Sequence, residues 1–289
     1  MTTRNILLTT DFSDNARAAY SCATQLAIEF DAQLHLVHFA GAMPNLIPSP
    51  SREMIFDAME LALAEEIGSH SAFEGVDIQP RLERHRWTSS RQLALEQELE
   101  ADVIVMSPQG KTGLSKILLG SFADRVIGQA SVPVLLFRPT EDSQAFDPRS
   151  VLVPHLFYDR PRAVLPAMRW LNSHFHPKFR FLHVYDPRLN NLQSIRGLEG
   201  QIAKIMESIQ SFSVEGRFAE LVTDELQGLD VTLETAQGFP SQEIVQRANR
   251  LPTDLVLLGK LEGLGGVARF VIRETKCSVL TVPVNNAQD

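Results

Sequence analysis

The segment Ala101-Asp102-Val103-Ile104-Val105-Met106-Ser107-Pro108-Gln109-Gly110-Lys111, closed by Gly120-Ser121 with nine residues between the two glycines, decides the fold. Val103 to Met106 is an uninterrupted apolar run of strand length, followed by a glycine-containing loop and a helix start. That order describes a strand buried on both faces of a parallel sheet. A degraded echo returns at residues 253–283, where Asp254-Leu255-Val256-Leu257-Leu258 matches Asp102 to Met106. The chain therefore reads as a tandem repeat.

Working outward, Asn5 to Thr9 is a strand-like run ending at Asp11 and Ser13, residues suited to begin a helix. Ala16, Ala19, Tyr20, Ala23, Leu26, Ala27 and Phe30 then keep the three-and-four spacing of a helix with one buried face. Leu34 to Phe39 is the next expected strand, Arg52 to Ile67 an amphipathic helix after a proline-broken loop, and Val76 to Leu82 a third strand. A helix from Ser89 to Leu99, opened by Thr88, Ser89 and Ser90, precedes the Val103 strand, and Val132 to Phe137 closes the first copy. Strands alternating with helices imply right-handed crossovers and a parallel sheet covered on both faces.

In the second copy Val151-Leu152-Val153-Pro154-His155 is expected where Leu7 to Asp11 stands, so that His155 replaces Asp11. Phe181 to Tyr185 matches Leu34 to Phe39, and Ser278 to Val282 matches Pro133 to Phe137. The polar stretch Thr140 to Arg149 reads as a linker, giving domains at 1–140 and 149–285. Leu192, Ile195, Leu198, Ile202, Ile205, Met206, Ile209 and Phe212 form a helical stripe expected to cover the second sheet. Asp102 to Val126 spans 24 steps but Asp254 to Val271 only 17, so the second copy lacks seven residues of loop and has no counterpart of Gly110-Lys111. The two copies cannot carry the same site.

A strand end feeding a glycine loop and a helix N-terminus aims backbone N–H groups and the positive end of the helix dipole at one spot, which suits an anion. Gly110 and Gly120 allow close approach of a phosphate, and Lys111 adds a mobile cation. Ser121 offers its hydroxyl to phosphate or caps the helix, with Asp124 completing a Ser-x-x-Asp box. Asp11 is placed to accept hydrogen bonds from a ribose or to cap a helix beside Ser13; spacing alone leaves both open. Gly110-Lys111-Thr112 is not the end of a Walker A loop, because Val105 stands where that loop needs glycine. Gly263-Leu264-Gly265-Gly266-Val267-Ala268 fits a dinucleotide fingerprint formally but follows the fourth strand of its repeat, with no acid about 20 residues on.

Composition narrows the rest. With 44% apolar and 21% charged residues the chain is globular in character, and no apolar run approaches a membrane span or a signal peptide core, so a cytoplasmic protein without membrane contact is expected. Residues 1–145 carry 11 Lys and Arg against 19 Asp and Glu, a net of −8, and the remainder carries 16 against 16. No basic stripe is offered to nucleic acid. Cys22 and Cys277, without partners at metal or redox spacing, read as buried free thiols. His155 with His183 is too small a set to specify zinc, and His174-Phe175-His176 reads as a solvated turn at a helix end.

The sequence resembles the universal stress proteins over nearly its whole length. Leu8-Thr9-Thr10-Asp11-Phe12-Ser13, Ala101 to Met106, Gly110-x9-Gly120-Ser121 and Val132-Pro133-Val134-Leu135-Leu136 carry the resemblance. It implies an α/β fold of two adenine nucleotide alpha hydrolase-like, Rossmann-like domains, each a five-stranded parallel sheet of order 3-2-1-4-5 with helices on both faces. It also implies pairing through the last strands as an internal pseudo-dimer, and leaves open a homodimer of whole chains. ATP, with or without Mg, is the implied ligand of the first repeat, and an unidentified protein the implied partner. Thr9, Thr10 and Asp11 would meet ribose and adenine, the Val37 backbone the adenine edge, and Met106 the base pocket. Ser107, Gly110, Lys111, Gly120, Ser121 and Phe122 would surround the phosphates. The family's ATP-binding members carry Gly-x-x-Gly-x9-Gly-Ser/Thr, whereas this chain has Ser107-Pro108 at the first glycine; a positive φ required there would weaken binding. Asp11 is the one carboxylate expected at the site, too few parts for efficient phosphoryl transfer. Three readings follow: a non-enzymatic ATP-binding regulator of the stress response with a degenerate second repeat, an interaction module without nucleotide, and a slow ATP hydrolase.

Overall fold

Strands β1 (Asn5–Thr9), β2 (Gln33–Phe39), β3 (Ile78–Glu83), β4 (Val103–Met106) and β5 (Val134–Leu136) pair in parallel in the order 3-2-1-4-5. In this computed structural model residues 4–41, 47–109, 119–139, 145–155, 163–185, 214–260 and 263–284 are described. Strands β6 (Ser150–Pro154), β7 (Lys178–Tyr185), β8 (Asp230–Gln237), β9 (Leu255–Lys260) and β10 (Ser278–Pro283) repeat that order in the second half. The halves meet through β5 and β10, antiparallel, with Leu135 opposite Leu280, Leu136 opposite Val279 and Val134 opposite Thr281. All ten strands thus form one sheet, β3-β2-β1-β4-β5-β10-β9-β6-β7-β8.

Side chains alternate across the pleat, so the run Ile6-Leu7-Leu8 feeds both faces. Ile6 and Leu8 join a core with α2 (Tyr20–Phe30) and α6 (Leu165–Phe175), whereas Leu7 joins a second core with α4 (Ser89–Glu98), α5 (Ser121–Gln129), α8 (Pro240–Arg250) and α9 (Gly266–Glu274). Both cores run across the junction between halves. On one face Phe30 stacks on Trp170 with centroids 5.0 Å apart, and Gln25 exchanges two hydrogen bonds with the Phe146 backbone.

On the other face cations from each half cover helix C-terminal carbonyls of the other, groups a helix leaves unsatisfied. Arg138, just past β5, donates to Ile272 O at 2.6 Å and Cys277 O at 3.2 Å around the end of α9. Lys260 donates from Nζ to Gly128 O at 3.2 Å, near the end of α5. Asp124 of α5 pairs with Arg269 of α9 at 2.6 Å.

Hydrogen bonds at the strand starts correct the expected alignment of the repeats. Asp102 accepts from Asn5 N–H, and Asp254 accepts in the same way from Ser150 N–H. At the strand ends Thr10 N–H donates to Val37 O and His155 N–H to Leu182 O, each at 2.9 Å. His155 is therefore the counterpart of Thr10, not of Asp11. The apolar run Val151 to Val153 fits either register by composition; the half-buried carboxylate bond admits one.

Among the described residues the remaining α-helices are α1 (Asp14–Arg17), α3 (Ser49–Ser69) and α7 (Val214–Asp224). Cys22 and Cys277 are both free and buried. The stripe from Leu192 to Phe212 lies outside the described residues. Among the described residues no helix is long and apolar enough to cross a membrane.

Candidate functional site

The connection leaving β1 runs to β2 on one side, while β4 lies on the other, and the strand ends part between them. Such a switch point is where open α/β sheets form crevices. Here a cleft of about 320 Å³ opens over the ends of β1, β2 and β4 and the start of α5. That volume falls within the range of small-molecule sites, roughly 300–1,000 Å³.

Thr9, Thr10, Asp11, Met106, Ser107, Gly120 and Phe122 line this cleft. Gly110 and Lys111 lie outside the described residues. Two further expected residues stand elsewhere. Val37 is fully buried within β2, its carbonyl accepting from Thr10 N–H, and the next two residues, His38 and Phe39, line the cleft instead. Ser121 is exposed at the first position of α5 and does not cap it: Gly120 is the N-cap, with no side-chain cap bond, and Asp124 is turned to Arg269 rather than back into a capping box. The Ser107-Pro108 departure brings no positive φ; in the described backbone the non-glycine residues with positive φ are Phe12, Asp31, Glu100 and His176.

Phe12, at φ 62°, lies in a region unfavourable to a bulky side chain, at a cost of order 1–3 kcal/mol. Two contacts hold it there: its N–H donates to Thr10 Oγ1 at 3.0 Å, and its ring lies 4.7 Å from that of His38. His38 Nδ1–H in turn donates to Thr10 O at 2.8 Å. The kink presents Asp11, whose Oδ1 accepts from Ser13 N–H at 3.1 Å and from Ser13 Oγ–H. Ser13 caps α1 by accepting from Ala16 N–H.

Beneath the strand end runs a buried polar chain. Ionised Glu66 only accepts, taking two bonds from Arg17 at 2.7 and 2.9 Å and one from Tyr20 Oη–H at 3.1 Å. Tyr20 Oη must then accept from Thr10 Oγ1–H, 2.5 Å away. The Arg17 guanidinium holds the Glu66 carboxyl below its ordinary value, outweighing burial, and burial pushes the Tyr20 phenol well up.

Arg17, Arg81, Arg84 and Arg91 are all paired with glutamates. Arg86 and Arg125 line the cleft and, among the described residues, form no ion pair. Arg86, Trp87, Arg125 and His38 are lining residues that motif reading does not reach; the Arg-Trp pair between β3 and α4 was the available signal. Asp11 is the one carboxylate among the described lining residues.

In the second half His183 Nδ1–H donates to His155 O at 3.2 Å, repeating the His38–Thr10 bond, and the His155 ring meets Phe181 edge-on. Burial lowers the His183 pKa. His174 is not merely solvated: though exposed, its ring lies 4.0 Å from that of Phe30 in the first half.

The model of the universal stress protein family matches residues 2–138 and again 149–283. A universal stress protein of Methanocaldococcus jannaschii is 32% identical over 147 residues, covering 47% of this chain and 82% of its own. Another, of Thermus aquaticus, is 30% identical over 136 residues, covering 47% and 98%. A crystal structure of a universal stress protein from Archaeoglobus fulgidus shares the two-half fold, with TM-score 0.66 and 17% identity over 97% of this chain and 98% of that one. With both halves matched, the chain belongs to the universal stress protein family, as a tandem of two of its domains.

Proposed function

We propose that this chain is a regulatory protein that binds an adenine nucleotide, ATP first among them, in the cleft of its first half. The supporting observation is the pair Arg86 and Arg125, in no ion pair among the described residues, in the walls of a cleft belonging to a half that is otherwise strongly acidic. Two uncompensated guanidinium groups facing a half-enclosed space favour an anion, and the uncapped N–H groups of α5 at Gly120 lie in the same wall. Asp11, across the strand ends, is an acceptor of the kind a ribose hydroxyl needs, and Phe39, Met106 and Phe122 supply apolar surface for a base. The residues present therefore fit a phosphorylated nucleoside. One lining carboxylate, already accepting two bonds from Ser13, is little with which to activate water or hold a metal, so binding rather than turnover is the function we infer. Occupancy of the cleft would bias one conformation or assembly, as regulators require.

Calorimetric titration of ATP, with and without Mg, into wild type and Gly120→Asp tests this reading. At φ −64°, ψ 145° an aspartate is a good N-cap, so the variant keeps or gains stability while placing a carboxylate where phosphate would sit. Saturable binding to wild type, lost in Gly120→Asp at unchanged melting temperature, is expected. Absence of binding to wild type would overturn the proposal.

A further inference from the structure

Trp87 combines three features that a core tryptophan does not need. It is half-buried and lines the cleft, whereas Trp170, the other tryptophan, is 4% exposed in the core. Its Nε1–H is turned inward to Gln92 Oε1 at 2.9 Å, and Gln92 is itself buried and fixed by donating to Glu96 Oε1 at 2.8 Å and Val126 O at 3.0 Å. One polar anchor thus locks the indole orientation while the ring remains at the cleft. Arg125, from α5, places its guanidinium over the ring at 5.2 Å, and Phe122 meets it edge-on at 6.3 Å.

The second half lacks this wall. Glu83, opposite Phe39, corresponds to Ala236, opposite Val184; from there to the residue before the next helix is five steps in the first half, to Thr88, and three in the second, to Phe239. Counted back from those helix starts, Gly238 stands at the position of Trp87; counted from the N-caps Gly120 and Gly265, Phe270 stands at that of Arg125. The lengthened connection and the cation over the indole both belong to the first half.

Resting on the nucleotide reading above, we propose that Trp87, beside Arg125 in the cleft wall, is the specificity-determining wall of the site: it stacks the planar base of the ligand and makes the cleft selective for nucleotides over phosphate chains without a base. Stacking on an aromatic side chain is worth about 1–3 kcal/mol per base. Removing the ring should therefore weaken a nucleotide roughly 5- to 150-fold and leave a base-free polyphosphate unaffected.

The test measures dissociation constants for ATP and for inorganic tripolyphosphate with wild type, Trp87→Ala, Trp87→Phe and Arg125→Met, each checked for unchanged folding by circular dichroism. Trp170→Phe, leaving Trp87 as the sole indole, reports the ring directly by fluorescence. Expected are a 5- to 150-fold loss for ATP alone in Trp87→Ala, recovery to within a few-fold in Trp87→Phe, a loss for both ligands in Arg125→Met, and an ATP-dependent emission change in Trp170→Phe absent with tripolyphosphate. ATP affinity unchanged by Trp87→Ala, or equal losses for both ligands, overturns the role of Trp87 while nucleotide binding stands. Wild type that binds neither ligand overturns both.

Discussion

Tyr20→Phe removes one oxygen atom from the polar chain that connects the kinked strand end to the interior. Tyr20 is fully buried, so no water replaces the hydroxyl. Two bonds disappear: the one donated to ionised Glu66 at 3.1 Å and the one accepted from Thr10 at 2.5 Å. Glu66 keeps its two bonds from Arg17, so its charge stays compensated, and the chief loss falls on the Thr10 hydroxyl, left without an acceptor. A bond to a charged group is worth about 1.5–3 kcal/mol and a neutral one about 1 kcal/mol, and the retained Arg17 pair places the sum toward the low end, about 2–3 kcal/mol. For a chain of 289 residues, with an unfolding entropy near 2.1 cal/mol/K per residue, that is a fall of about 3–5 °C in melting temperature. Because Thr10 Oγ1 also accepts from Phe12 N–H, the loss should loosen the presentation of Asp11, and nucleotide affinity should drop with stability. Thermal unfolding of wild type, Tyr20→Phe, Glu66→Gln and the double variant gives the coupling directly. A coupling below about 0.5 kcal/mol, within the additivity of independent sites, would refute the chain of bonds as a unit.

The same carboxylate sets a pH dependence: with its folded pKa held below the ordinary 4.5, Glu66 contributes stability in full above about pH 4.5 and loses it as pH falls through the folded value. Urea unfolding of Glu66→Gln across pH 3–6 should show a shallower acid slope than wild type, and equal slopes would contradict this. Arg138→Met, which strips Ile272 O in the last turn of α9 and Cys277 O just before β10 of their donor, should cost about 1.5–3 kcal/mol, measured by urea unfolding. Asp124→Ala removes a pair whose side chains are 31% and 53% exposed, and should cost at most about 1 kcal/mol, diminishing in high salt; a larger, salt-insensitive loss would show that the pair is more than a surface bridge.

The strands were legible because parallel strands buried on both faces must be continuous apolar runs, as Val103 to Met106 and Leu255 to Leu258 are, whereas their order came only from the family resemblance. The junction likewise came from the resemblance; its physical reason is that Val134 to Leu136 and Val279 to Leu280 would otherwise leave a bare apolar edge. The register between repeats slipped by one residue, because apolar composition along Val151 to Val153 does not distinguish positions; the bond from Ser150 N–H to Asp254 does. Within the site, residues on the β1 and β4 ends and at the start of α5 were accessible through their motifs. Trp87, Arg86 and Arg125 were not, since only the crossover topology brings the end of β3 beside α5. Val37 accepts from Thr10 N–H within the sheet, and the two residues after it, His38 and Phe39, line the cleft.

Asp124 and Arg269 bear on why the two halves differ. Counted from their N-caps, Gly120 and Gly265, they occupy equivalent positions of α5 and α9, and the axis that sets Leu135 opposite Leu280 sets them face to face. In a dimer of identical first halves the same position would place aspartate against aspartate, and in a dimer of second halves arginine against arginine. Opposite charges at equivalent positions favour the unlike pair and disfavour both like pairs, at a few tenths of a kcal/mol to about 1 kcal/mol for each. Arg138 and Lys260 extend the asymmetry, since each covers a carbonyl of the opposite half by a route that its repeat counterpart does not copy. Residues 1–139 alone should therefore associate through the exposed β5 edge, but less tightly than an Asp124→Asn version, which removes the like-charge contact. Sedimentation of the two across a concentration series measures the difference; equal self-association would mean that the charge pair has no part in matching the halves. If the matching holds, the second repeat contributes the surface that pairs with β5 and packs against α5, the helix whose start lines the cleft of the first half.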